Sequence, residues 1–279
     1  MPESALLESA PLRTVIVAAH PDDEVIGIGA RFAEIGRIVA MVHVTDGAPR
    51  SGDDFRNAGC ETWQQYAALR RTEFENALAA SGVRSENNIC LWYPEQQVSF
   101  TIEEVARELA RIFERLRPEV VFTHPYEGGH PDHDAVAAAV HGAKCLLESR
   151  VTFAEAESAP CRFTLVEFAS YHAGPAGFEG ECFLENGPPT VLDVPLTMEE
   201  RARKRGILEC YTSQQRTLSQ FPLQREPIRQ APEYDFTRPP HQGTLFYEQF
   251  DWGITGAEWR ILAAKAFQSL NIETPNAGE

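Results

Sequence analysis

Val15-Ile16-Val17-Ala18-Ala19-His20-Pro21-Asp22-Asp23-Glu24 is the stretch on which the reading of this chain turns. Its first five residues form a short apolar run, the pattern of a strand buried on both faces of a parallel sheet. Val25 to Phe32 reads as the start of a helix. An imidazole and three carboxylates therefore sit where a strand hands over to a helix. Open α/β sheets bind their ligands at that end of the strands. The theme returns later. Val120-Val121-Phe122-Thr123 is another apolar run, and His130-Pro131-Asp132-His133-Asp134 follows it.

Outward from these two points the chain alternates. Arg37 to Val44 reads as a second strand, Thr45 to Gly59 as a polar loop, and Trp63 to Ala80 as a helix stopped by Ser81-Gly82. Asn88 to Trp92 is a short third strand. Thr101-Ile102-Glu103-Glu104 has the form of a capping box. It opens a helix to Arg117, which Pro118 ends. Val120 to Thr123 is the fourth strand, and a helix spans Asp134 to Glu148. This β-α-β-α order predicts an α/β fold with a parallel sheet covered by helices on both faces.

The second half is less regular. Arg162 to Ser170 and Pro189 to Pro195 read as extended. Thr197 to Tyr211 reads as a helix with another capping-box start, and Gly256 to Leu270 as a closing helix. Ser213 to Gly243 is Pro-rich and has no periodicity. A loop of that length is usually functional or disordered. Its apolar anchors Phe221, Tyr234 and Phe236 favour an ordered wrap. Asn271 to Glu279 reads as a frayed tail. We take residues 1–215 as the core. Residues 216–279 are a C-terminal irregular and helical extension, wrapped on the same domain.

Composition narrows the function. The 279 residues are 43% apolar and carry a formal charge of -16. A core is affordable, and nucleic acid or an anionic bilayer would be repelled. No run is long and apolar enough to span a membrane. Met1 to Pro11 lacks the basic start and apolar centre of a signal peptide. The six cysteines are scattered without a Cys-x-x-Cys, which predicts reduced thiols in a cytoplasmic protein. Whether the chain forms a homo-oligomer is open.

The chemistry turns on metal ligation. A catalytic zinc takes three ligands from His, Asp and Glu and keeps one position open. His20 and Asp23, three residues apart across the turn, can face one ion. His133 can supply the third ligand if the first and fourth strands bring the two loops together. Alone, Pro-Asp-Asp-Glu is an ordinary helix start, and His-Pro-Asp-His is a polar turn. Together, at equivalent places in the fold, they supply an open site. The attacking water needs a base, and Asp22 beside the ligand Asp23 is the candidate. His130 can donate to a developing oxyanion or leaving group, with Asp132 holding its ring protonated and oriented.

Ala19 to Glu24 together with His130-Pro131-Asp132-His133 resembles the zinc-dependent N-acetylglucosaminyl deacetylases known as the PIG-L or LmbE-like family. Weaker matches are Thr45-Asp46-Gly47, Arg70 to Glu73, Ala79 to Val83, Lys204 and Ser213-Gln214. The resemblance spans residues 12 to 215. It implies a Rossmann-like sheet, a Zn²⁺ or similar divalent first-row metal on His20, Asp23 and His133, and Asp22 as base. It further implies His130 with Asp132 as an electrostatic pair, and Arg70 as a sugar-hydroxyl contact. The activity implied is hydrolysis of the N-acetyl group of an N-acetylglucosamine-type conjugate. The alternatives are a zinc amidase acting on a larger acyl or thiol-sugar conjugate, and a non-catalytic sugar binder on the same fold. There are departures. Gly128 stands where many relatives carry an aromatic residue, with Tyr126 as a substitute phenol. Pro94-Glu95-Gln96 replaces Pro-Asp-Gly, which makes Glu95 a changed sugar contact.

Other features read blandly. Gly27-Ile28-Gly29 lacks the third glycine of a dinucleotide loop. His43 and His124 read as structural. Arg201, Arg203, Lys204 and Arg205 read as a solvated helix face. Trp63 and Trp92 lie near the site loops and can stack on a sugar. His241 has no assignment.

Overall fold

Both motifs sit on one sheet. The computed structural model describes residues 11–50, 53–84, 86–149, 161–175, 177–184 and 191–273. The expectations for all but the last residue of Met1 to Pro11, for the start of Pro189 to Pro195 and for the end of the tail lie outside those residues. In chain order the elements are β1 (Arg13–Ala18), α1 (Asp23–Ile28), β2 (Arg37–Pro49), α2 (Asp54–Asn57), α3 (Trp63–Ser81), β3 (Asn88–Glu95), α4 (Ile102–Leu116), β4 (Val120–Thr123) and α5 (Pro131–Ser149). There follow β5 (Thr164–Phe168), β6 (Tyr171–Gly174), β7 (Gly177–Gly180), β8 (Val191–Leu192), α6 (Met198–Leu208), α7 (Gln215–Leu218), β9 (Ile228–Gln230) and α8 (Gly256–Ser269).

Seven strands form one sheet in the order β3-β2-β1-β4-β5-β9-β8, and β6-β7 is a separate hairpin. The first five strands of that order pair in parallel, and β9 and β8 close the edge antiparallel. The strand order reverses between β1 and β4, so the crevice where α/β sheets bind ligands opens at their carboxyl ends. Alternate residues of β1 face opposite ways. Val15 and Val17 pack with Val105, Leu109, Val136 and Trp259 from α4, α5 and α8. Ile16 packs on the other face with Val25, Phe74 and Ile207 from α1, α3 and α6. Among the described residues no helix is long and apolar enough to cross a membrane.

Several expectations shift. β2 continues to Pro49, so the polar loop starts later than read. α5 begins at Pro131, which places the second motif inside the first helical turn. Proline suits that position because its missing N–H would be unpaired there anyway. Thr101 makes no capping box, and its hydroxyl donates back to Val98 O instead. Thr197 and Glu200 do form one. Ser213 to Gly243 contains α7 and β9, so part of it belongs to the sheet. Lys204 does not lie on a solvated face. It is fully buried, and its Nζ donates to Ile26 O at 2.5 Å and pairs with Glu226 at 2.9 Å. That contact ties α6 to α1, and so to the first motif. The β6-β7 hairpin was not anticipated.

Candidate metal centre

The chain leaves β1 and turns sharply before α1. Asp22 takes φ 136° at the helix entrance, a conformation that costs a non-glycine residue energy. Its carbonyl accepts the N–H groups of Val25 and Ile26, both at 2.9 Å, which fixes the turn. The turn presents His20 and Asp23 to the same point. The parallel pairing of β1 with β4 brings α5 alongside, and with it His133.

Three donor pairs then converge. His20 Nδ1 lies 3.1 Å from Asp23 Oδ2, His133 Nε2 lies 3.2 Å from Asp23 Oδ1, and His133 Nε2 lies 3.3 Å from His20 Nδ1. Ligands held at zinc distances in a tetrahedron stand about 3.3 Å apart. The outward ring nitrogens are also supported. His20 Nε2 bonds Asp132 Oδ2 at 3.2 Å, and His133 Nδ1 bonds Ser170 Oγ at 3.3 Å. Such partners fix the tautomer that leaves the inward nitrogen free to bind a metal. The donor set and its supports fit a divalent ion.

The electrostatics agree. Burial opposes charge on His20, but Glu95, Asp23 and Asp132 outweigh it and raise its pKa well above the usual range. Burial likewise opposes charge on Asp23, yet His133, His20 and His124 hold it well below the carboxylate range. The pocket floor is an anionic place that stabilises positive charge. His124 packs against the donor triangle, and with Asp23 and His133 it makes an overlapping candidate donor set. Its ring stacks on His133 with centroids 4.0 Å apart, and its Nε2 already accepts the Ala19 N–H at 3.0 Å.

Asp22 stands apart from the donor triangle. Arg70 Nη2 donates to its Oδ2 at 3.1 Å and to Pro21 O at 2.6 Å, and Arg70 Nε donates to Gly47 O at 3.3 Å. Burial pushes Asp22 up to about 7 despite the downward pull of Arg70. Burial also pushes Glu95 up to about 7. Glu24, by contrast, is a structural anchor. It accepts from His43 Nε2 at 3.0 Å and from the Tyr211 hydroxyl at 3.1 Å.

The structure corrects the reading of His130 and Asp132. α5 starts at Pro131, so His130 is its cap residue, and its Nδ1 accepts the Asp132 backbone N–H at 3.1 Å. Burial, then His20 and His133, push its pKa well below the usual value. The accepted N–H and the burial both favour a neutral ring with its proton on Nε2 over an imidazolium. Asp132 Oδ2 is 4.0 Å from that ring, too far to hold it. Asp132 accepts instead from the backbone N–H groups of Gln96 and Val98, at 2.6 and 3.1 Å, and supports His20.

Around these groups lies a cavity of about 650 Å³. Glu95, Gln96, Arg70, Tyr171 and Trp252 line it, with Thr212 to Thr217 and Phe221 along one wall. Only the first part of the Ser213 to Gly243 stretch takes part. Tyr126 does not reach in: it is buried, and its hydroxyl donates to Arg238 O at 2.8 Å. Gly128 has no room for a side chain. Its φ is +72° and an added Cβ would meet Leu245 Cδ2 at 2.8 Å. Trp63 and Trp92 are not pocket walls either. Trp63 lies under Arg50, and Trp92 is 57% exposed.

Sequence reasoning missed Ser170, Tyr171 and Trp252. Ser170 and Tyr171 directly follow β5, so the rule that sites gather at strand ends would have marked them. The Tyr171 ring meets His133 edge-on at 5.4 Å. Trp252 packs on His130 at 4.6 Å from an unpatterned stretch, and no local signal points to it.

Comparison with known proteins matches residues 15–144 to the GlcNAc-PI de-N-acetylase (PIG-L) family. A 1D-myo-inositol 2-acetamido-2-deoxy-alpha-D-glucopyranoside deacetylase from Nakamurella multipartita is 29% identical over 235 residues, which are 73% of this chain and 80% of that protein. A protein of the same name, deacetylase 2 of Catenulispora acidiphila, is 35% identical over 149 residues, 45% of this chain and 48% of its own length. The N,N'-diacetylchitobiose deacetylase of Pyrococcus horikoshii shares the fold with a TM-score of 0.56 at 19% identity, over 80% of this chain and 84% of that one. A zinc-inhibited form of teicoplanin deacetylase shares it with a TM-score of 0.53 at 16% identity, over 80% of this chain and all of the other. Residues 15–144, which hold both motifs, carry the match to the PIG-L (LmbE-like) deacetylase family.

Proposed function

We propose that the chain is a cytoplasmic metal-dependent hydrolase that removes the N-acetyl group from an N-acetylglucosamine-type amino-sugar conjugate. The observation that carries this reading is the donor triangle of His20, Asp23 and His133, with a carboxylate poised near neutrality beside it. The relatives named as deacetylases of amino-sugar conjugates support the substrate class. A divalent ion on these three residues, zinc or a similar first-row metal, would polarise the amide carbonyl and acidify the attacking water.

The chain's own residues do the rest. Asp22 takes the proton from water and passes it to the leaving amine, a task that suits a pKa near the working pH. Arg70 holds Asp22 in place through Nη2, while its Nη1 has no hydrogen-bond partner among the described residues and is left as a donor for a sugar hydroxyl in the cavity that Arg70 lines. His130 presents its Nε2–H to the developing oxyanion, as a neutral donor. Asp132 keeps the His20 ring oriented. Glu95, Gln96 and Tyr171 face the space a sugar would fill and offer contacts to its hydroxyls.

The test is direct. The metal-loaded protein is incubated with a panel of N-acetylated glucosamine conjugates, and acetate and free amine are measured together. We expect stoichiometric release of both. A folded, metal-loaded protein that frees acetate from none of them, while still binding the sugars, would make it a binder and not a hydrolase.

A further inference from the structure

The β6-β7 hairpin carries a second set of metal donors, away from the centre at the end of β1. His172 on β6 and Glu179 on β7 are directly paired across the hairpin, so their side chains share one face. Beyond β7, Glu181 takes φ 61° and turns the chain back. That turn is anchored. Glu181 N–H donates to Ser170 O at 3.1 Å, and its Oε2 accepts the N–H groups of Gln224 and Arg225 at 2.8 and 3.3 Å. As a result Cys182 Sγ lies 3.7 Å from His172 Nε2.

The ring is set up to bind. His172 Nδ1 donates to Ala173 O at 3.1 Å, which leaves the Nε2 lone pair facing the thiol. His172, Glu179 and Cys182 each offer one donor atom within 4.8 Å of the others. In a tetrahedral zinc site a nitrogen and a sulfur ligand stand about 3.6 Å apart, close to the separation seen.

We propose that His172, Glu179 and Cys182 form a second divalent-metal site, with nitrogen, oxygen and sulfur donors, suited to a zinc-class ion. On binding, the thiol gives its proton to solvent as the metal–sulfur bond forms, while Glu179 enters ionised and His172 neutral. The ion would clasp the hairpin. β6 begins with Tyr171, which lines the main pocket, and Ser170 just before it supports His133. The clasp thus holds one wall of the catalytic cavity without taking part in its chemistry.

Sulfur distinguishes the two sites, because the centre formed by His20, Asp23 and His133 has only nitrogen and oxygen donors. The full-length chain is stripped of metal and titrated with Co²⁺, and the near-ultraviolet thiolate-to-cobalt charge-transfer band is followed. We expect the band to saturate by two equivalents of added cobalt, since the His20, Asp23 and His133 centre fills as well, to vanish in Cys182→Ser, to need at least tenfold more cobalt in His172→Gln, and to persist in His20→Ala. Circular dichroism confirms that each variant is folded. Should Cys182→Ser fail to fold, His172→Gln carries the test. No band at saturating cobalt would leave the Cys182 contact as an S–H···N hydrogen bond and overturn the inference. So would a band that survives Cys182→Ser, or one that forms at parental affinity in His172→Gln. Acetate release is not part of this readout, so the inference and the proposed hydrolase activity stand or fall separately.

Discussion

His20-Pro21-Asp22 and His130-Pro131-Asp132 share three residues and lie beyond the ends of neighbouring parallel strands, yet their aspartates do opposite work. Asp22 precedes its helix, takes φ 136°, and meets one guanidinium at the pocket edge. Asp132 lies inside the first turn of α5 and is fully buried, with two backbone N–H groups and His20 around it. The fifth residues diverge too. Glu24 is clamped by His43 and Tyr211, whereas Asp134 accepts the N–H groups of Glu127 and Gly128 and shapes the loop before it. Two residues of difference in where the helix begins change which groups each carboxylate meets. A motif therefore names residue types at a site, and the backbone decides which of them touches substrate, metal or neither.

The largest expected effect falls on Asp22. Asp22→Asn should keep its metal and lower kcat by about 10²–10⁴, the usual weight of a general base. Acetate release and metal content measured on one preparation check it; loss of the metal would make Asp22 a ligand and erase the contrast with Asp23. His130→Ala comes next, with kcat reduced about 10²–10³ and little change in KM, as for a lost oxyanion donor. A variant stripped of metal would place His130 in the coordination shell. Asp132→Asn should act through His20, weakening metal affinity about 10–100-fold. At saturating metal its kcat should recover, and a persistent kcat defect would mean that Asp132 touches substrate.

The pH profile sharpens the contrast further. Asp22 works deprotonated, and burial has pushed it up to about 7. Activity should therefore be present above its pKa and fall as pH drops through it. Arg70 pulls that pKa down, so Arg70→Gln should move the acid limb to higher pH. A limb that stays in place would assign the titration to another group. The smallest effect belongs to Asp134. Burial pushes it up to about 8, which favours the protonated carboxyl at neutral pH. Asn preserves the acceptor for Gly128, and Asp134→Asn should change stability by no more than about 1 kcal/mol. A drop of several degrees in Tm beyond that would show that the ionised form is needed.

Much of the frame was legible from local pattern. The apolar runs at Val15 to Ala19 and Val120 to Thr123 mark central strands because such runs need both faces covered. Gly82 marks the end of α3, where it adopts φ +69°. Other elements were not legible. Lys204 looks like one charge in a solvated run, and only the approach of α1 and Glu226 explains its burial. The pocket aromatics Tyr171 and Trp252 come from a short hairpin and an unpatterned stretch, where periodicity carries no information.

The sequence by itself determined the alternation of strands and helices and the placing of His20, Asp22, Asp23, His130 and His133 at strand ends. These depend on side-chain period and on residues close along the chain. Only the tertiary structure decided that Asp132 serves His20, 112 residues away, and that Cys182 meets His172 across a turned hairpin. The reason is physical. A buried polar group must find a partner or lose the free energy of its hydration. The partner is whichever group the packed elements bring within reach.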